Sequence, residues 1–394
     1  MTPQELKSSL ILALAYSLRM FGMFIILPIF AVYASNLADT PSEFQIGLAL
    51  GIYGLTQALF QIPFGLASDR YGRKKIIYLG LFIFIAGSIV AGLSSNINLI
   101  IVGRALQGAG AISAVLAAFV ADLTTEGFRT RAMAIIGGSI GLTFILSLIL
   151  GPILNSLIGV PGIFYLMACL SFIIFLIIKY FVPEKKINSN NHEMNFSTIK
   201  DILKRFDLQQ LNFGIFALHA TQIIMFMIIP FLIINNGGLD LKDHWMVYLP
   251  VLLISFLFTF PMIIVAEKLR KTKLVFILSI IVLVTSQFLF IFMTNDFIGI
   301  FISLIVYFLG FNFLEASLPS MVSKIAPFNQ KGLALGVYNT SQSLGIFAGG
   351  AIGGLIANHY GYDTSFLACL VLLVAWFVLS LKIKIPATKN NDGL

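Results

Sequence analysis

Four ionisable side chains interrupt stretches of sequence that otherwise carry no charge: Arg19, Arg104, His219 and Glu315. The stretches are apolar and roughly 20 residues or longer, the length that crosses ~30 Å of hydrocarbon. A charge at that depth costs ~2.5–3.5 kcal/mol on insertion scales, so each should face a cavity or a partner. Arg104 and Gln107 are three apart and share a helical face. Glu315 is the only carboxylate well inside any stretch, with Asn312 one turn before it. A carboxyl group there is least costly as the neutral acid, so Glu315 is a candidate proton carrier. The structural alternative is a fixed partner for an arginine or a hydroxyl. His219, near the start of its stretch, reads either as a satisfied interface residue or as a second proton site. Gln57, Gln222, Asn339 and Gln342 are further candidates for lining a polar cavity.

The elements that must hold these groups follow from composition. Of 394 residues, 58% are hydrophobic and 11% charged, and the mean hydropathy is +0.96. One soluble core could not hide that much apolar surface. The balance excludes a soluble enzyme, a disordered chain and a nucleic-acid binder. Continuous apolar runs argue against a β-barrel, whose strands alternate. The fold expected is an all-α membrane protein with the lipid bilayer as solvent.

Breaks in hydropathy predict twelve spans, near 8–35, 44–68, 75–94, 97–121, 131–157, 161–182, 208–235, 244–266, 273–294, 296–321, 331–358 and 362–383. The first run is too long for a signal peptide and reads as a retained span. Cys169 and Cys369 lie inside apolar runs, so no disulfide is expected. With the N-terminus in the cytoplasm, 22 of the 25 Lys and Arg fall in inner loops and ends and one, Lys242, in an outer loop. That asymmetry sets the orientation, with both termini inside. Phe196, Ile199, Leu203 and Phe206 recur at helical spacing among Lys200, Lys204 and Arg205, which predicts an amphipathic linker helix on the inner surface. The aromatic side chains are expected mostly to face lipid.

The two halves repeat. Met23–Pro28 resembles Met225–Pro230, Pro63 before Asp69 resembles Pro261 before Glu267, and Ala168-Cys169-Leu170 recurs as Ala368-Cys369-Leu370. All three matches fall in corresponding spans at nearly one offset. The domains expected are a six-helix half over 1–183, a linker over 184–207 and a second six-helix half over 208–394. Parallel repeats of this kind place a substrate site between the halves near the midplane.

Between spans 2 and 3 stands Gly65-Leu66-Ala67-Ser68-Asp69-Arg70-Tyr71-Gly72-Arg73-Lys74. Gly65 permits close helix contact, Gly72 a tight turn, and Arg73 can pair a carboxylate with its planar fork. This G-x-x-x-D-R-x-G-R-K pattern resembles motif A of the major facilitator superfamily. The resemblance implies a cytoplasmic latch of Asp69, Arg73 and Asp122, the last at the end of span 4. The start of span 11, a positive dipole end, would face Asp69 when the latch is shut. The second-half counterpart, Glu267-Lys268-Leu269-Arg270-Lys271, keeps the charges and lacks the glycines.

Arg104-Ala105-Leu106-Gln107-Gly108 resembles the superfamily's R-x-x-Q-G motif, linked in relatives to proton transfer. Gly138, Ser147, Gly151 and Pro152 in span 5 partly resemble motif C of drug/proton antiporters, with Ser147 in place of a glycine. Small-residue packing around a proline kink accounts for them as well. Gly345, Gly349, Gly350, Gly353 and Gly354 suit close helix contact in span 11. The fragment Ser17–Met23 resembles a bacterial efflux-type subgroup, some of whose members carry an extra C-terminal domain that is not expected here.

The sequence holds no Walker loop, no H-E-x-x-H and no Cys/His metal spacing, so no cofactor and no metal are expected. The expectation is a monomeric inner-membrane transporter of a bacterium and not an enzyme. Its partners would be a small-molecule substrate and a proton, exchanged by antiport with alternating access. Proton-coupled or facilitated uptake of a metabolite is the alternative.

Overall fold

The computed structural model describes residues 1–184, 201–269, 271–327 and 330–383, without the side chains at 130 and 267. Their regular structure is all helical: α1 Pro3–Phe24, α2 Phe30–Ser35, α3 Glu43–Tyr71, α4 Arg73–Leu93, α5 Ile97–Ala109, α6 Ser113–Leu123, α7 Arg129–Phe181, α8 Phe206–Asn235, α9 Trp245–Lys268, α10 Thr272–Phe292, α11 Phe297–Ile325 and α12 Lys331–Ser380. Among the described residues, nine helical segments are long and apolar enough to cross a membrane. Two of these, those containing α7 and α12, are each two spans. Gly159 (φ 67°) and Gly361 (φ 81°) leave the helical region and reverse the chain. Span 1, α1 with α2, completes twelve. The predicted linker helix falls mostly on residues outside those described. Of its apolar positions, Leu203 is exposed, while the neighbouring Ile202 is buried.

Two spans expected to be continuous are broken. Span 1 stops at Phe24 and resumes at Phe30. Pro28 accounts for this, since its ring collides with the carbonyl four residues back, that of Phe24. Its repeat partner Pro230 lies inside the unbroken α8. The difference is span 5, which seats Gly151 against the break: a Cβ there would lie 2.6 Å from the Ile25 carbonyl oxygen and 3.1 Å from Pro28 Cγ. Span 4 breaks between Ala109 and Ser113. There span 3 approaches so closely that a Cβ on Gly110 would stand 2.4 Å from the Gly80 carbonyl oxygen.

The halves meet along their outer side. A Cβ on Gly47 of span 2 would lie 2.2 Å from the Gly350 carbonyl oxygen of span 11, and one on Gly54 2.4 Å from that of Ser343. The other face of span 11 packs Gly345 on Phe216 and Gly349 on Ala220 of α8. One apolar core runs across both halves. A second, built on Leu12, Ile77, Leu116 and Phe119, serves the N-terminal half alone.

Towards the basic ends the helices part. Gly65, Gly138, Gly141, Gly332 and Gly336 have no neighbouring atom within 4 Å of a Cβ position. Gly65 and Gly138 therefore do not make the close contacts expected of them. The molecule is shut outside and open to the cytoplasm, the state in which those surfaces are apart. The aromatic side chains also depart from expectation. Tyr53, Tyr307, Phe226, Phe276, Phe290 and Trp376 are fully buried, because the interior between twelve helices is as apolar as lipid and must be filled.

Candidate functional site

At the cytoplasmic end, α3 and α4 are joined by Gly72 at φ 106°, ψ 138°, a conformation that disfavours any Cβ. The turn brings Arg73 back onto α3 and α6. Its Nη1 lies 2.5 Å from Asp69 Oδ1, and its Nε donates to Asp122 Oδ2 at 2.8 Å. Arg73 Nη1 also donates to Ser68 Oγ at 2.6 Å, and Ser68 Oγ donates to the Gly65 carbonyl at 2.7 Å. The three residues paired from the sequence are thus in contact. Ser68, a fourth member, was missed; its register one residue before Asp69 was the available signal. Asp69 remains 61% exposed in its side chain, on the opened side of the molecule. The matching segment of the second half, 267–271, falls partly outside the described residues.

Midway across the membrane the N-terminal half gathers its two deep arginines around one ring. Arg104 and Arg19 place Cζ 4.9 Å and 5.7 Å from the centre of Tyr53, within cation–π range. Arg104 Nη1 donates to Gln107 Oε1 at 2.6 Å, as the three-residue spacing predicts. Gln107 Nε2 then donates to Ser88 Oγ at 2.8 Å. Arg19 reaches across to the break in span 4. Its Nη1 donates to Ser113 Oγ at 2.6 Å and its Nη2 to Gln57 Oε1 at 3.3 Å. Both arginines are buried, and neither makes an ion pair with a carboxylate among the described residues.

The C-terminal half carries the acid. Glu315 pairs with neither arginine. Its neighbours are His219, with Nε2 3.8 Å from Glu315 Oε2, and Gln342, whose Nε2 lies 3.5 Å from Glu315 Oε1. Gln342 Nε2 is also 2.8 Å from His219 Nε2. His219 Nδ1 is 3.3 Å from the Ile215 carbonyl, which only accepts. That assigns the proton to Nδ1 and leaves Nε2 to accept from Gln342. Asn312 turns away and donates to Ser255 Oγ at 2.9 Å, tying span 10 to span 8.

An aromatic plug packs across the halves beside His219, whose ring centre lies 6.0 Å from that of Phe311. Phe24 and Phe144 of the first half stack edge to face at 5.0 Å, and Phe144 meets Phe311 of the second half at 5.9 Å. Glu315 lies one turn from Phe311, on the cytoplasmic side, with 37% of its side chain exposed.

Two six-span halves, buried polar clusters facing an aromatic plug between them and an ion-paired cytoplasmic turn are the parts of a membrane transporter. The chain belongs to the Major Facilitator Superfamily, whose family model matches residues 12–349 and, separately, 243–394. It is 41% identical to the inner membrane transport protein YajR of Escherichia coli strain K12, over 100% of this chain and 89% of that protein. It is 26% identical to multidrug resistance protein 2 of Bacillus subtilis strain 168, over 80% and 82%. A bacterial homolog of the human lysosomal transporter Spinster, solved inward-facing and occupied, superimposes with a TM-score of 0.79 at 14% identity over 98% of each chain. The protein is a multi-pass transporter of the bacterial inner membrane.

Proposed function

We propose that this transporter exports small molecules, drug-like compounds or metabolites, in exchange for protons, by rocking its two halves about the aromatic plug. The observation that carries this reading is the placement of Glu315 on the open side of the plug, bridged to His219 by Gln342. A carboxylate among apolar helices is costly, and taking up a proton from the cytoplasm relieves that cost. Protonation shifts the balance of states only through a difference in proton affinity between them. Rocking would carry Glu315 to a different exposure and supply that difference. One proton moving down ~100 mV contributes ~2.3 kcal/mol, enough for roughly a 50-fold substrate gradient. Asp69, Arg73 and Asp122 would act as the latch, closing the cytoplasmic side when span 11 swings in.

The test uses proteoliposomes loaded with a pH-sensitive dye, to which candidate compounds are added singly. Glu315→Gln keeps shape and hydrogen bonding but cannot exchange a proton. Compound-driven proton movement should vanish in that variant, while exchange of labelled for unlabelled compound persists. Full proton movement by Glu315→Gln would remove Glu315 from the mechanism.

A further inference from the structure

The break in span 4 places the start of a half-helix, buried among its neighbours, at the middle of the membrane. No side chain caps α6, and its first ladder bond runs from the Leu116 amide to the Ile112 carbonyl. The amides of Ser113, Ala114 and Val115 therefore have no partner within the helix. Such an end carries a partial positive charge and attracts anions. A cation is held against it instead: the Arg19 guanidinium, 3% exposed, is bonded to Ser113 itself. Arg104 adds a second positive charge across the Tyr53 ring. Every carboxylate of the N-terminal half, Glu5, Asp39, Glu43, Asp69, Asp122 and Glu126, lies at a span end. The opposing dipole is the Gly108 carbonyl, 3.5 Å from Arg19 Nη2.

The guanidinium is also incompletely used. Nη1 is anchored, but Nε is buried and has no acceptor, and the Nη2 contacts are long, at 3.3 and 3.5 Å. Nε–H and Nη2–H form the side-on fork that receives a carboxylate through two parallel bonds. One guanidinium thus joins an uncapped helix start, through Nη1 on Ser113 Oγ, to an incompletely filled Nε–Nη2 fork.

We propose that the span 4 break is an anion subsite, in which Arg19 and the α6 amides hold the carboxylate of an organic-acid substrate. The inference rests on the transport reading and narrows its substrates to molecules bearing a carboxylate. Gln57 would release Arg19 Nη2 as the carboxylate enters, and Ser113 would keep the guanidinium in register.

The test measures binding to the purified full-length protein in nanodiscs, using benzoate, neutral benzamide and cationic benzylamine. Benzoate should bind at least tenfold more tightly than the other two, and more weakly as chloride is raised. Arg19→Gln should lose benzoate at least tenfold, and Arg19→Lys should fall between, because an ammonium offers no fork. Gln57→Glu places an internal carboxylate on Nη2. It should abolish benzoate binding while holding or raising the melting temperature, so it serves even where Arg19→Gln fails to fold. Lys242→Ala, in an outer loop, should bind as the parent does. Absence of benzoate binding, equal binding of benzoate and benzamide, or unchanged benzoate affinity in Gln57→Glu would each overturn the site. Benzoate binding at Arg19 without benzoate-driven proton movement in proteoliposomes would remove the proton-exchange reading and leave the subsite standing.

Discussion

Tyr362 of the second half donates its hydroxyl to Glu43 of the first half, with 3.0 Å between Tyr362 OH and Glu43 Oε1. The bond crosses the outer seam where Gly354 packs on the Glu43 backbone, and Phe231 stacks on Tyr362 from behind. A hydrogen bond to a charged group contributes about 1.5–3 kcal/mol. It exists only while the outer side is shut. Tyr362→Phe should therefore shift the balance toward the outward-open state by roughly 10- to 100-fold. Spin labels at Ala38 and Asp363 would report it as a new long-distance population. An unchanged distance distribution would mean that the glycine seam alone holds the closure.

The proposed latch can be separated from a simple topological anchor. Asp69 is largely exposed, so losing its pair with Arg73 should cost less than ~1 kcal/mol of stability. Asp69→Asn should express normally and melt near the parent temperature, yet transport poorly. Lys75→Ala, outside the ion-paired group, should transport normally. Equal losses in the two variants would reduce the turn to an anchor.

Gly65 and Gly72 should respond in opposite ways. Neither has a neighbour within 4 Å, but only Gly72 has a positive φ. Gly72→Ala should destabilise by about 1–3 kcal/mol through backbone strain. Gly65→Leu should leave thermal stability intact and trap the cytoplasmic side open, if the close contact expected of Gly65 forms when that side closes. Melting curves and cytoplasmic cysteine accessibility separate the two effects. A strongly destabilised Gly65→Leu would refute the assignment.

Orientation is open to a direct check. Cysteines at Ser95 and Asn295 should react with impermeant reagents from outside intact cells, and one at Lys273 should not. Reaction at Lys273 from outside would invert the topology.

The span positions, the orientation and the two-half organisation were legible in the chain because hydrocarbon imposes length and charge rules on every segment independently. Gly159 and Gly361 sit where hydropathy marks the turns. Arg104 with Gln107, and Asp69 with Arg73, were legible because helical spacing alone brings them together. The breaks in spans 1 and 4 were not. Pro63 and Pro230 lie in helices that continue, so a proline or glycine does not by itself say whether a neighbouring helix will wedge the ladder open. Nor was the partner of Glu315 legible, since His219 and Gln342 reach it from two other spans. Hydropathy says which segments lie in the membrane, while the choice among many similar apolar faces is made by packing. Only the packed bundle therefore decided that the acid would sit with a histidine and the two arginines without one.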